Sequence, residues 1–307
     1  MEEFIAKLQE AYENGKPLVT DAEYDYLVSI NSDAEKVIGK RGDTPHYKRM
    51  YSLKKYYLGK DTIPDTTGYI RTPKLDGCAC SLLYVNGELS LALTRGDGLM
   101  GNVITDKMHN IAPLSIKTDM PILFVTGEVI NTVPVENGRN LVAGALNCVD
   151  DFVKRHDALG LIFVAYSADV DMDYDQTMGW LSNLGFLTVV DDNLPDLKTD
   201  GWVYRIRSGK KFKELGYTDK FPRGAFALKE IQEGVVTTLL NVEWQTGGSG
   251  KITPVAILEP VDIDGAIVSR ATLNNIAYIE ALGLEIGCQV RVIRSGEIIP
   301  KIVERVD

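Results

Sequence analysis

The segment TPKLDGCACSLLYV, residues 72–85, places Lys74 and Asp76 directly before an apolar run. If residues 74–85 form one strand, Lys74 and Asp76 project to the same face, because side chains alternate along a strand with a period of two. A lysine becomes a nucleophile only after it loses its proton, which desolvation or nearby positive charge promotes. Taken alone, the pair is more typical of a surface ion pair at the end of a strand.

Further charged residues stand at or beside short β-rich runs, where a purely structural strand does not require them. Arg95 lies in the glycine-rich segment TRGDGLMG, residues 94–101, where glycines let the backbone approach a ligand and an arginine can bind phosphate. The others are Glu128 in VTGEVI, Asp200 and Arg205 in TDGWVYRIR, and Lys229 in AFALKE.

The composition is that of an ordinary globular protein. The 307 residues are 45% hydrophobic and 25% charged, which predicts about two domains. Because no stretch reaches the apolar length of a membrane span and the N-terminus is not a signal peptide, we expect a cytoplasmic protein without a membrane partner. The four cysteines lack zinc-site spacing and are expected to be free thiols.

Charge is distributed unevenly along the chain. The net charge of −10 argues against a protein that coats nucleic acid indiscriminately. Residues 202–223 nevertheless form a basic segment, whose cations are Arg205, Arg207, Lys210, Lys211, Lys213, Lys220 and Arg223. This segment is the part of the chain best suited to the backbone of a nucleic acid.

Three regions follow from the periodicity, and together they predict an α+β protein. Residues 1–60 read as a small helical module, in which Thr20 and Glu23 have the spacing of a capping box. Residues 61–232 mix strands and helices, with a hairpin at Asn86-Gly87 and helices over 143–155 and 176–184. Residues 233–307 predict a closed barrel of the OB type, with strands at 235–245, 252–261, 265–273, 288–294 and 298–306.

In order along the chain, these motifs resemble the nucleotidyltransferase superfamily of polynucleotide ligases and capping enzymes, and most closely the NAD-dependent DNA ligases. The K-x-D-G signature stands at residues 74–77, TRGDG at 94–98 and the G-E of the third motif at 127–128. The D-G-V-V-x-K element is similar to DGWVYR, and the PRWA…K segment is similar to PRGAFALK, which ends at Lys229.

Flanking segments resemble the NAD-dependent branch specifically. PLVTDAEYDYL, residues 17–27, is similar to the family's NMN-recognition module, with Asp21, Tyr24 and Asp25 in its D-x-E-Y-D motif. The segment RMYSLKKYY resembles a family segment and shares its Ser52 and Leu53, and the segment NGRNLVAGALNCVD resembles another and shares its Arg139. GKITPVAILEPVDIDGAIVSRATLNN, residues 250–275, and RSGEIIP resemble the family's OB domain.

The resemblance implies an N-terminal helical NMN-binding module, a nucleotidyltransferase (adenylation) domain and a C-terminal OB-fold barrel. It implies a DNA ligase of replication and repair in which Lys74 attacks the α-phosphorus of NAD⁺, holds AMP and passes it to the 5′-phosphate of nicked double-stranded DNA, after which the 3′-hydroxyl seals the nick. The implied catalytic residues are Lys74, Asp76, Arg95, Glu128, Asp200 and Lys229, with Glu128 and Asp200 as ligands of Mg²⁺. The implied NAD⁺-binding residues are Asp21, Tyr24, Asp25, Ser52, Leu53, Thr72, Lys74, Arg95, Glu128, Arg139, Arg205 and Lys229.

Several positions depart from the family pattern. Thr72 stands where the family has a glutamate that reads adenine, Arg205 replaces a lysine, and Lys54 and Lys55 replace an Asp-Asn pair. The resemblance implies that such ligases continue past the OB domain with zinc-finger, helix-hairpin-helix and BRCT parts. Two interpretations stay open: a minimal ligase that binds DNA weakly, or a second protein chain that supplies these parts, which we favour.

Two alternatives stay open on the sequence. One is an ATP-dependent nucleotidyltransferase, which the D-x-E-Y-D segment disfavours because that branch does not use an NMN site. The other is a non-catalytic DNA-binding scaffold related to the ligases. The retained charged residues argue against it, and the substitution at Thr72 favours it.

Overall fold

The computed structural model describes residues 4–5, 7–8, 11, 18–20, 23–24, 26–28, 44–135, 137–191, 194–195, 197–230, 234–246, 252–263, 266–295 and 299–307. The chain forms two compact units, Met1–Glu230 and Ile231–Asp307. The first unit mixes α-helices with β-sheets and the second is a β-barrel. This confirms the α+β class predicted from the sequence.

The strands of the first unit are β1 (Thr44–Pro45), β2 (Lys54–Tyr57), β3 (Tyr69–Leu75), β4 (Cys78–Val85), β5 (Glu88–Thr94), β6 (Met100–Gly101), β7 (Ile122–Asn131), β8 (Leu161–Ala168), β9 (Leu187–Thr188), β10 (Thr199–Ile206) and β11 (Ala225–Lys229). The helices of this unit that lie wholly within the described residues are α1 (Gly138–Leu146), α2 (Phe152–Leu159), α3 (Tyr174–Asn183) and α4 (Gly209–Leu215), with a 3₁₀ turn at Thr105–Met108.

A five-stranded sheet of order β5-β4-β7-β8-β9 carries the main core. Strand β4 explains why the sequence after Asp76 is continuously apolar. Leu82 and Tyr84 pack into the principal core on one face, whereas Leu83 and Val85 pack into a second hydrophobic cluster on the other. A strand buried on both faces needs apolar residues at every position rather than at every second one.

A second sheet of order β2-β11-β10-β3 stands beside the first in the fold. Strands β3, β10 and β11 are antiparallel neighbours, and β2 adds at the edge parallel to β11. In this register Lys55 lies opposite Ala227, and Tyr57 lies opposite Lys229. Lys55 and Lys229 therefore share one face of the sheet, because alternate residues of adjacent strands point the same way.

The prediction of one strand over residues 74–85 is wrong. Strand β3 ends at Leu75, β4 begins at Cys78, and the two strands belong to different sheets. Between them Gly77 passes so close to β7 that a Cβ atom there would lie 2.3 Å from the carbonyl oxygen of Val129. The crossover from one sheet to the other therefore requires glycine at this position.

The remaining predictions for this unit have mixed outcomes. The hairpin at Asn86-Gly87 is confirmed, with both residues at positive φ as its tight turn requires. The helix predicted over 176–184 is confirmed as α3, and Gly185 follows it with a φ of +94°. The single helix predicted over 143–155 is wrong, because the chain turns between α1 and α2 and Asp151 adopts a left-handed conformation.

The described N-terminal residues are partly helical and pack on the five-stranded sheet. Leu8 and Leu27 are buried in the cluster that contains Leu83 and Phe124. The predicted capping box is confirmed, since Glu23 Oε2 accepts from Thr20 N at 2.8 Å and Thr20 Oγ1 accepts from Glu23 N at 3.3 Å. Asp21 and Asp25 lie outside the described residues.

The second unit is a closed five-stranded barrel of order β12-β13-β14-β16-β15, which confirms the OB-type prediction. Its own core contains Leu239, Leu258, Val290 and Ile302, all almost fully buried. Its strands are β12 (Val235–Thr246), β13 (Ile252–Ile263), β14 (Ala266–Thr272), β15 (Gln289–Ser295) and β16 (Ile299–Arg305), and α5 (Ile276–Ala281) precedes β15.

Candidate active site

A cleft of about 830 Å³ in the first unit brings together residues from both sheets. It gathers most of the residues predicted from the sequence, although they are spread over more than 170 positions. The predicted residues that line it are Ser52, Leu53, Thr72, Lys74, Asp76, Arg95, Glu128, Arg139, Asp200, Arg205 and Lys229. Tyr24, by contrast, is partly buried in the hydrophobic cluster beneath the N-terminal residues.

Asp200 joins two lysines at the centre of the cleft. Its carboxylate lies 2.8 Å from Lys74 Nζ and 2.5 Å from Lys229 Nζ. Burial alone would raise the pKa of Asp200, but the hydrogen bonds and charges of Lys229 and Lys74 lower it below its ordinary value. Asp200 is therefore held as a carboxylate between two cations.

A β-bulge aims Asp200 into the cleft. The pairing of β10 with β3 shifts between Thr199 and Trp202, so that one extra residue of β10 is accommodated at Asp200-Gly201. Gly201 has a φ of +132°, and a Cβ atom there would lie 2.2 Å from the carbonyl oxygen of Leu228. The Asp-Gly pair of the motif therefore has a structural as well as a chemical reason.

Glu128 comes from β7 in the other sheet, opposite Ala79 of β4. Burial raises its pKa to about 7, against the opposing charges of Lys74 and Arg139. Near neutral pH this carboxyl group is therefore divided between its acid and its carboxylate forms. Such a group can exchange a proton, or can bind a cation that replaces the proton.

Asp76 lies at the crossover, 8% exposed, with Arg139 Nη1 at 3.7 Å from its carboxylate. Its backbone N–H donates to the carbonyl oxygen of Lys198 at 3.1 Å. Asp76 is thus fixed on both its main chain and its side chain. It places a buried negative charge beside the segment that carries Lys74.

Arg95 is positioned by Ser52, one of the predicted NAD⁺-binding residues, and by His46, which was not predicted. Its Nη2 donates to Ser52 Oγ at 2.6 Å. Its carbonyl oxygen lies 3.0 Å from His46 Nε2, and His46 Nδ1 lies 2.9 Å from Ser81 Oγ. His46 is itself buried, with only 8% of its surface exposed. Burial lowers its pKa.

Arg205 and Thr72 form an aromatic-lined part of the cleft. The Arg205 guanidinium lies 4.0 Å from the ring centre of Phe212 and 5.0 Å from that of Tyr174. Thr72 is buried, and its side chain hydrogen-bonds that of Tyr174. A guanidinium can stack in this way on two rings, which a lysine ammonium does with less contact, so Arg205 suits its surroundings.

Several cations of the basic segment, residues 202–223, form ion pairs or hydrogen bonds within the fold. Arg207 pairs with Asp175 at 3.4 Å, Lys213 pairs with Asp171 at 3.0 Å, and Arg223 donates to main-chain carbonyl groups. Lys211 and Lys220 are exposed. Arg207, Lys213 and Arg223 therefore remain exposed to solvent but have partners within the fold.

Lys55 is a further cleft residue that sequence reasoning did not select. It projects from β2 and lines the cleft with Lys74 and Lys229. Burial, followed by the charges of Lys229 and Lys74, lowers its pKa. Lys55 stands close to Ser52 and Leu53 in the sequence, which could have drawn attention to it. The face to which its side chain points, however, depends on the register of an edge strand.

Two absences apply to the described part of the chain. No three His, Cys, Asp or Glu side chains there converge in a way that would hold a metal ion. None of the helices there combines the length and the apolar composition of a membrane span. The four cysteines are free thiols, as predicted.

Comparison with protein families decides the relationship. The NAD-dependent DNA ligase adenylation domain matches residues 42–195, and the NAD-dependent DNA ligase OB-fold domain matches residues 236–307. The chain belongs to the NAD-dependent DNA ligase family. The cleft lies within the adenylation region and its continuation to Lys229, and the five-stranded barrel is the OB-fold domain.

Curated DNA ligases are similar over most of this chain. The DNA ligase of Sulfurovum sp. strain NBC37-1 is 31% identical over 95% of this chain and 55% of its own length. That of Campylobacter concisus strain 13826 is 32% identical with the same coverage, and that of Alkaliphilus metalliredigens strain QYMF is 31% identical over 100% of this chain and 57% of its own length. The chain thus spans little more than half the length of these relatives.

Proposed function

We propose that this protein carries out NAD⁺-dependent adenylation as the first step of DNA ligation, with Lys74 as the nucleophile. The observation that carries this proposal is the Lys74–Asp200–Lys229 arrangement, in which one carboxylate contacts both ammonium groups in a cleft lined by Glu128. All four residues stand at motif positions of the family, and membership of that family implies NAD⁺ as the donor of AMP.

In the first step the nitrogen of Lys74 attacks the α-phosphorus of NAD⁺. A nitrogen–phosphorus bond forms, and the bond from the α-phosphorus to the bridging oxygen breaks, so that NMN leaves with its electron pair. Lys74 must give up its proton for the attack, and its ion pair with Asp200 positions the nitrogen in the cleft before it does so. Lys229 and Arg95 supply positive charge for the phosphate oxygens.

We propose that a Mg²⁺ ion arrives in the cleft with the substrate phosphates. Mg²⁺ is commonly bound through one or two carboxylates and keeps several water molecules, and Glu128 and Asp200 would be the two protein ligands. The raised pKa of Glu128 agrees with such a role, because a carboxyl group that is costly to ionise gains most from a cation. When bound, Mg²⁺ would neutralise charge on the reacting phosphates.

The N-terminal residues are proposed to recognise the NMN half of the substrate. The support is the D-x-E-Y-D motif and the capping box of Thr20 and Glu23, which orders the start of that segment. Asp21, Tyr24 and Asp25 are the proposed contacts. Tyr24 packs within the hydrophobic cluster, so its hydroxyl end would be the part that reaches NMN.

In the second and third steps AMP would pass to the 5′-phosphate of nicked DNA, and the 3′-hydroxyl would displace it. Exposed Lys211 and Lys220 are proposed to contact the DNA backbone. The barrel is proposed to do so on its family relationship alone, because its arginines Arg270, Arg291 and Arg305 each lie within 3.3 Å of a carboxylate oxygen.

A nick-sealing assay tests the three steps separately. We expect the wild type to seal a 5′-phosphorylated nick with NAD⁺ and not with ATP. The Lys74→Ala variant should fail on that substrate and still seal a nick that already carries 5′-linked AMP, because only the first step needs the lysine nitrogen. Sealing with ATP would favour the ATP-dependent alternative, and binding of nicked DNA without sealing of either substrate would favour the scaffold.

The second protein chain expected from the family resemblance is tested in the same assay. Sealing of the pre-adenylated nick by the purified chain at low and moderate salt would show that it needs no helper. Loss of sealing at moderate salt, restored by a cell extract from which this chain has been depleted, would support a helper protein.

A further inference from the structure

We propose that Lys55 and Lys229 form a phosphate-binding subsite of the cleft that holds the second phosphate of the dinucleotide, the one that leaves with NMN. The inference rests on the proposed function and assigns a residue to that site.

The first support is the order of charges across the four-stranded sheet. From β3 to β2 the cleft face carries Lys74, Asp200, Lys229 and Lys55, and β10 adds Arg205 to the same face. Asp200 lies between the first two cations and contacts both. The sequence of charges is positive, negative, positive, positive, so the last two positions have no anion between them.

The second support is the lack of a counter-ion at Lys55. Within the described ranges, no carboxylate lies within salt-bridge distance of its Nζ, although the cleft contains Asp76, Glu128 and Asp200. The charges of Lys229 and Lys74 repel Lys55, and the charge of Asp200 attracts it. Lys55 is exposed where it lines the cleft, so an anionic ligand that enters the cleft can reach its ammonium group.

The third support is the direction of the side chain. Lys55 pairs with Ala227, whose small side chain leaves space above the strand on the cleft face. The adjacent Lys54 points to the opposite face, where its Nζ lies 4.7 Å from the ring centre of Tyr56. Two neighbouring lysines therefore have different surroundings, and only Lys55 can contact a ligand in the cleft.

A phosphate between Lys229 and Lys55 would complete the alternation of charge. NAD⁺ has two phosphates, and if Lys74 attacks the first, the second lies one bridging oxygen further along. A cation at the second phosphate stabilises the negative charge that develops as NMN leaves, so Lys55 would act on the rate of the first step. The 5′-phosphate of DNA has the same chemistry and is the other source of such a ligand.

The experiment compares Lys55→Gln with Lys54→Gln, which removes the same charge from the adjacent residue on the other face. Two quantities are measured for wild type and variants: binding of inorganic pyrophosphate by titration calorimetry, and the rate of Lys74 adenylation by NAD⁺. Lys55→Gln should weaken pyrophosphate binding and slow adenylation by about tenfold or more, the loss of a charge-assisted hydrogen bond, whereas Lys54→Gln should change each by less than about twofold. Lys55→Arg should recover part of both losses.

Sealing of a pre-adenylated nick identifies the source of the phosphate. If Lys55→Gln seals that substrate at the wild-type rate, the subsite serves NAD⁺; if it seals it slowly while adenylating normally, the ligand is the DNA phosphate and the assignment to NAD⁺ is overturned. If wild type binds pyrophosphate through Lys55 but gains no AMP, the proposed function fails and the subsite stands. Equal behaviour of Lys55→Gln and Lys54→Gln in every measurement would overturn the subsite itself.

Discussion

The two faces of the four-stranded sheet both carry cationic residues, but these residues have different surroundings on each face. On the cleft face Lys74, Lys229 and Lys55 surround a single carboxylate, Asp200. On the outer face the cations lie over aromatic rings instead, with the Arg71 guanidinium 4.2 Å from the Trp202 ring centre and Lys54 over Tyr56. Outer-face cations are therefore satisfied within the fold, whereas the cleft-face cations are in excess of their counter-ion.

Alternate residues of a strand point to opposite faces, so the position of a lysine along its strand, rather than its residue type, decides whether it reaches the cleft. Tyr204 and Phe226 stack on the outer face with ring centres 5.2 Å apart and planes inclined by 8°. The residues next to them in sequence, Arg205 and Ala227, line the cleft. A shift of one residue in the register of β10 or β11 would exchange the two sets.

Gly77→Ala should have the largest effect on the cleft face, because it disturbs the crossover at which the chain leaves the four-stranded sheet. The added methyl group would meet the Val129 carbonyl oxygen at 2.3 Å and the Ile130 side chain at 2.5 Å. We expect a loss of roughly 3 kcal/mol in the free energy of unfolding, measured by urea denaturation, and loss of adenylation.

A matched control for Gly77 is Gly179→Ala in α3, where an added Cβ atom meets nothing within 4 Å. This helical substitution should stabilise the fold by roughly 0.5–1 kcal/mol. If Gly77→Ala were as stable as wild type, the close passage of the crossover against β7 would be contradicted.

Lys229→Gln should show how much one cation of the cleft face contributes to adenylation. It removes the ammonium group 2.5 Å from Asp200 and leaves that carboxylate with Lys74 alone. Adenylation by NAD⁺ should slow by about 100-fold, the usual cost of one preorganised charge donor at a reacting phosphate or carbonyl. The rate is measured by quenched-flow formation of the AMP adduct, and a slowing of less than about threefold would remove Lys229 from the site.

Glu128→Gln should reveal the charge state of the cleft through pH. The pKa of Glu128 is raised by burial to about 7, above its ordinary value of 4.5. Stability that the protonated group gives at low pH is lost as pH rises through about 7, because the buried carboxylate must then carry charge. The free energy of unfolding of the variant, relative to that of wild type, should therefore rise by about 1–3 kcal/mol between pH 5 and pH 8.

Urea denaturation of wild type and Glu128→Gln at pH 5, 6, 7 and 8 measures this difference. The variant is expected to lose adenylation at every one of these pH values, so its gain in stability would accompany a loss of function. A constant difference in stability across the range would contradict the raised pKa.

Arg71→Gln should have the smallest effect, since it alters only the outer face. Loss of the stacking on Trp202 is expected to cost about 0.5–1 kcal/mol of stability at this exposed site. Adenylation and nick sealing should stay within about twofold of wild type. A large loss of sealing would instead assign the outer face to DNA binding.

Most of the residues predicted from the sequence line one cleft, whereas the geometry of that cleft was predicted incompletely. Most of them lie on or beside β-strands, as the β-rich runs around them indicated, although Arg139 lies in α1. The barrel was predictable because its strands are regular and well separated. The break at Asp76-Gly77 was not, because it depends on the close approach of β7, a contact between residues more than fifty positions apart.

Lys55 and His46 were missed for a related reason. Lys54, Lys55, Tyr56 and Tyr57 show no alternation of apolar and polar residues, and their strand forms only by pairing with β11 far along the chain. The burial of His46 likewise depends on Ser81 and Arg95. Both depend on tertiary pairing, which local periodicity does not carry.

The most direct test of the central claim is the intact mass of the protein after incubation with NAD⁺ and Mg²⁺, beside a parallel sample with ATP and the Lys74→Ala variant. We predict that wild type gains the mass of one AMP with NAD⁺ alone and that the variant gains nothing. An AMP adduct on the variant, or a wild-type adduct that forms only with ATP, would contradict the assignment of Lys74 as the nucleophile that NAD⁺ adenylates.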